Sequence, residues 1–185
     1  MAYSFIMLPD GVTGTNNWLN NEPATCGSSD VDNDNGETQY CIEATNGHVI
    51  TFTMADPSIP ESDIYSITSV QVKMKAKSMA GYAYVDVYQT GTDINNYIQA
   101  NDRINTSNTS DYELISAGLK ETIAGVGTPS FTYTDLKNLQ VKLDKFRTSG
   151  IKISYLYVEV IYVPYTKISI PSGKLTLNGG NFIIK

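Results

Sequence analysis

Apolar residues recur at every second position through most of this chain, and that period decides its fold class. In "SVQVKMKAK", Val70, Val72, Met74 and Ala76 alternate with Gln71, Lys73, Lys75 and Lys77. A β-strand sends successive side chains to opposite faces, so this spelling turns one face to a core and the other to water. The lysines are then a solvated strand face. "HVITFTM" repeats the pattern with Ile50, Phe52 and Met54, "YAYVDVYQT" with Ala83, Val85 and Val87, and "LQVKLDKF" with Leu139, Val141 and Leu143.

Turn-forming clusters separate these runs: "NGH" at 46–48, "DPSIPESD" at 56–63, "TGTDINN" at 90–96 and "GVGTP" at 125–129. Only "TDLKNL" suits a helical turn, with Thr134 or Asp135 as its cap. The expectation is an all-β antiparallel jelly-roll β-sandwich over 18–165. Residues 1–17 form an N-terminal arm or first strand, and 166–185 a β-prone tail. The densest strand, "SGIKISYLYVEVIYVP", changes its apolar phase midway. Ile151 and Ile153 start one set; Leu156, Val158, Val160 and Tyr162 continue the other. A β-bulge near Tyr155–Leu156 accounts for the flip, because one extra residue reverses every later side chain. The alternative is that Tyr155, Tyr157 and Ile161 are covered by a neighbouring subunit or by the chain's own tail.

Charge and composition narrow the function. Acidic residues number 19 against 13 basic ones, for a net charge of −6, which disfavours nucleic acid as a partner. No apolar run reaches the ~20 residues of a membrane span, and the opening "MAYSFIMLPDGV" lacks a basic leader, so synthesis in a cytoplasm without export by that route is expected. Cys26 and Cys41 flank a polar loop. They suit either a bridge or two free buried thiols. In that loop Asp30, Asp32 and Asp34 match the first ligand positions of an EF-hand, but Asn35 stands where the turn glycine belongs and Cys41 where the closing Glu belongs. Calcium there is the one cofactor candidate; otherwise none is expected. "INTSNTSD" carries two formal glycosylation acceptors, Asn105 and Asn108, read here as a polar loop. The single histidine, His48, follows a turn with no evident nucleophile beside it, so the chain reads as a non-enzyme.

The sequence has 13 tyrosines. Tyr82, Tyr84 and Tyr88 share a strand face with Asp86, and Trp18 sits in an Asn-rich loop. Flat rings beside carboxylates suit packing or a subunit contact, or else a platform for sugar rings. Both ends carry apolar strand-forming residues: Phe5, Ile6 and Leu8 at one, and Ile168, Ile170, Leu175, Leu177, Phe182 and Ile183 at the other. Such ends either fold back on their own sandwich or add strands to a neighbour.

Trp18 in its Asn-rich loop, "TQYCIEA", "IPESDIYSITSVQVKMKAKS" and "FTYTDLKNLQVKLDKFRTSGIKISYLYVEVIYVP" occur in the order seen in jelly-roll structural proteins of tailed bacteriophages, which this chain resembles over about 18–164. The second Trp that members often carry near "FTYTDLKNL" is missing. The resemblance implies a concanavalin-like sandwich acting in the virion as a head-decoration, head-fibre, neck or tail component. Its partners would be copies of itself and other virion proteins. The alternative function is a carbohydrate-binding module for host-surface glycans.

Overall fold

The computed structural model describes residues 2–22, 24–34, 38–90, 97–117 and 131–166, with backbone only at 85–90, 97–103 and 146–148. Eleven strands are described: β1 (Tyr3–Met7), β2 (Pro9–Thr13), β3 (Leu19–Asn20), β4 (Cys41–Glu43), β5 (Val49–Met54), β6 (Ile64–Ser78), β7 (Ala83–Thr90), β8 (Tyr97–Thr106), β9 (Glu113–Ser116), β10 (Gln140–Thr148) and β11 (Ile151–Pro164). The helix α1 spans Tyr133–Lys137. The strands make two antiparallel sheets, ordered β3-β4-β11-β6-β9, with β1 also on β11, and β2-β5-β10-β7-β8. Pairing is nested: β4 with β11, β5 with β10, β6 with β9 and β7 with β8. The fold is therefore an all-β sandwich built mainly from long-range contacts.

The alternating positions fill one shared core. Ile50, Phe52 and Met54 meet Val70, Val72, Met74, Leu139, Val141, Leu143, Leu156, Val158 and Val160, all buried. In β11 the register against β6 shifts between Ile153 and Tyr155, which makes Ser154 the extra residue, one position before the expected bulge. Ile151 and Ile153 face inward before it, and Leu156, Val158, Val160 and Tyr162 after it. The bulge turns Tyr155 outward beside Tyr157, at 5.1 Å between ring centroids.

The structure decides between the alternatives left open at the N-terminus and at the cysteines, and it moves the helix cap. The N-terminal segment takes the first of its two fates: β1 pairs with β11 and β2 with β5, so residues 3–13 belong to the sandwich. Phe5 and Met7 are buried there, Leu8 is half-buried and Ile6 points outward, so Phe5 is core. The helical turn is capped two residues earlier than predicted. The Asp135 amide donates to the Thr132 hydroxyl at 3.2 Å, and the Thr132 amide donates back to Asp135 at 2.7 Å. Cys26 and Cys41 are joined in a disulfide, with their Cα atoms 5.5 Å apart. The tail positions Ile168, Ile170, Leu175, Leu177, Phe182 and Ile183 lie outside the described residues.

Candidate interaction face and polar end

The registers give the sandwich two unlike ends. At one end the β5–β6 loop meets the start of β1 and the finish of β11, since Tyr3 pairs with Tyr162 and Pro164 with Ile64. Two clefts open there, of about 370 and 490 Å³, with Tyr165 lining both. The first is walled by Tyr65, Phe131 and Tyr133, the second by Tyr3, Ile59 and Tyr162. Tyr65 and Tyr165 meet edge to face at 5.5 Å, yet remain 67% and 52% exposed. Tyr133 is anchored by donating to the Ile59 carbonyl at 3.1 Å. Beside this end, β1 pairs only with β11 among the described residues, so its other edge offers unpaired backbone groups, next to the exposed Ile6.

The opposite end is polar and filled. The inward phase of β10 continues past Leu143 to Lys145, and that of β4 from Cys41 to Glu43; both charged residues are buried. Periodicity reached Leu143, and two more residues would have found the lysine. Glu43 Oε1 accepts from the Ala44 amide at 2.7 Å and from the Thr45 amide, while Oε2 meets His48 Nδ1 at 3.0 Å. Lys145 Nζ donates to Asn46 Oδ1 at 3.4 Å. Burial pushes the Lys145 pKa down, opposed by the charge of Glu43.

Trp18 is corrected outright. It is fully buried and donates from Nε1 to the His48 carbonyl at 3.2 Å, so it roofs the polar end and cannot join a surface platform. Asn16 holds its loop by accepting from the Trp18 amide at 3.0 Å and donating to the Cys26 carbonyl at 2.7 Å. Of the remaining platform, Tyr82 and Tyr84 stack at 6.4 Å with Tyr82 exposed; Asp86 and Tyr88 follow on β7, their side chains outside the description.

The three acids of the polar loop part company. Asp30 is buried and accepts from the Gly27 amide at 2.8 Å, Asp32 accepts from Asn33 at 2.7 Å, and Asp34 pairs with Lys75. The potential metal-ligand group found among the described residues is instead Cys26, Asp30 and Cys41, whose two sulfurs are bonded to each other. The lysine face of β6 is covered more than solvated. Lys73 meets Glu159 at 2.6 Å, a hydrogen bond that raises its pKa, and Lys77 lies 4.9 Å from the centre of the Tyr112 ring. No protein-family model matches this chain, and comparison with curated proteins gives no match.

Proposed function

We propose that this chain is a non-enzymatic structural protein of a tailed-bacteriophage virion that assembles with copies of itself through its aromatic end and the β1 edge. The observation that carries the reading is the gathering of Tyr3, Tyr65 and Tyr165, all exposed, around two clefts beside a strand edge that is unpaired among the described residues. Rings with an apolar body and a polar tip are favoured where two surfaces meet, and an open edge accepts an added strand. The alternating Ile168/Ile170 and Leu175/Leu177 supply strand-forming sequence of the required kind. The nested pairing of eight strands is the pattern a jelly roll has, and it supports that reading of the sandwich.

Sedimentation velocity of the full chain over a wide concentration range tests the proposal. Wild type forms a discrete oligomer, while a chain ending at residue 166, or carrying Tyr65→Ala with Tyr165→Ala, stays monomeric and keeps its melting temperature. A wild type that is monomeric at every concentration overturns assembly, and a shortened chain that still assembles overturns the role of the tail. The carbohydrate reading stands second, on the stacked, outward Tyr82–Tyr84 pair alone. Saturable glycan binding by wild type, abolished by Tyr82→Ala, would promote it.

A further inference from the structure

We propose that Lys145 and Asn46 join in an intramolecular isopeptide bond, with Glu43 as the proton carrier. Lys145 Nζ is already 3.4 Å from the side-chain oxygen of Asn46, which sets the amine beside the amide group whose carbon it would attack. The amine has no solvent exposure, and Glu43, whose charge acts on it, is buried as well. Burial favours the uncharged amine, the form with a free electron pair. Glu43 is pinned by the Ala44 and Thr45 amides and by His48, at the base of the turn that presents Asn46. Nucleophile and electrophile therefore meet at the turn between β4 and β5, and the buried carboxylate that ends β4 is close enough for its charge to act on the amine.

The chemistry balances without a co-reactant. The Nζ electron pair attacks Cγ of Asn46, and the bond from Cγ to Nδ2 breaks. One Nζ proton passes through the Glu43 carboxylate to Nδ2, which leaves as ammonia; the products are a secondary amide and ammonia. Asn46 is on the exposed turn, so the ammonia has a short way out, while the amine behind it is shielded from water. An Asn-Gly pair has a competing route, in which the glycine nitrogen attacks the same carbon to close a five-membered imide. Here the Gly47 amide donates to the Lys145 carbonyl at 2.8 Å, which engages that nitrogen and leaves the lysine as the better-placed nucleophile. The link would tie the β4–β5 turn to β10, across a sequence separation of 99.

Intact mass of the purified full chain, reduced and denatured, tests this independently of the assembly reading. Wild type is expected to be lighter than its sequence by one ammonia. Proteolysis should release one branched fragment containing both Asn46 and Lys145, with no tryptic cut after Lys145. Asn46→Ala and Lys145→Arg abolish the mass deficit, and Glu43→Gln slows its appearance. A wild type at full sequence mass overturns the proposal, as does a deficit that maps to Asn46 and Gly47 with Lys145 still cleavable. The decisive reading is on wild type, so a variant that fails to fold does not blunt it.

Discussion

The two ends of this sandwich solve opposite problems with the same strands. At the polar end, the turn at 44–48 supplies hydrogen-bond partners to buried Glu43 and Lys145, Trp18 closes the roof, and the disulfide fastens the Asn-rich loop to β4. Groups that would be costly to bury alone find partners inside the chain. At the aromatic end the loops leave clefts, and large rings stay exposed. The difference teaches where stability and interaction reside. Changes at the polar end should cost folding energy, whereas Tyr65 and Tyr165 should be removable within about 0.5 kcal/mol, as exposed side chains usually are.

Trp18→Ala gives the largest effect. It empties a fully buried site and strands the His48 carbonyl, so chemical denaturation should show a loss of about 3–5 kcal/mol. A near-neutral Trp18→Ala would mean that the roof is not part of the core. Next comes the disulfide. Its sequence separation of 15 corresponds to about 3 kcal/mol of chain entropy removed from the unfolded state, so reductant should lower the melting temperature. Cys26→Ser with Cys41→Ser should melt at that lower temperature with or without reductant. Equal melting of oxidised and reduced wild type would remove the bridge from the account.

The sandwich was legible because period two reports which way a side chain faces. Val70 to Ala76 and Leu139 to Leu143 needed no other information. The same rule pointed inward at Lys145 and Glu43, but charge normally marks a water-facing position, and the partners that reverse this come from distant segments. Asn46 meets Lys145 across a sequence separation of 99, which no local pattern displays. Trp18 misled for a related reason. Its neighbours are polar, so the loop looked solvent-facing, yet those asparagines hydrogen-bond backbone and leave the indole free to turn inward. The N-terminal strand was ambiguous because apolar alternation is the same whether the partner is β11 or another molecule. The bulge was readable to within one residue, since a phase flip in a half-buried strand has few other causes.

Tyr112 sharpens the comparison with the smallest effect and an opposite sign. It lies at the polar end just before β9, against Lys77, and its hydroxyl is buried with no hydrogen-bond partner among the described residues. That end is therefore well satisfied but not completely so. Tyr112→Phe removes the orphan group while keeping the ring that faces the lysine, so it should stabilise by about 1 kcal/mol at neutral pH. Burial also raises the Tyr112 pKa above the ordinary value of 10.0, helped by Tyr40. Above that pH the unfolded chain gives up this proton while the folded chain keeps it, so stability falls as pH rises. Phenylalanine cannot ionise, and the gap between variant and wild type should widen in alkali. Tyr155, whose pKa burial raises in the same direction, is present in both proteins and cancels in the difference. A gap that stays constant through pH 10 would mean that the hydroxyl reaches water after all, and that the polar end is more open than its packing implies.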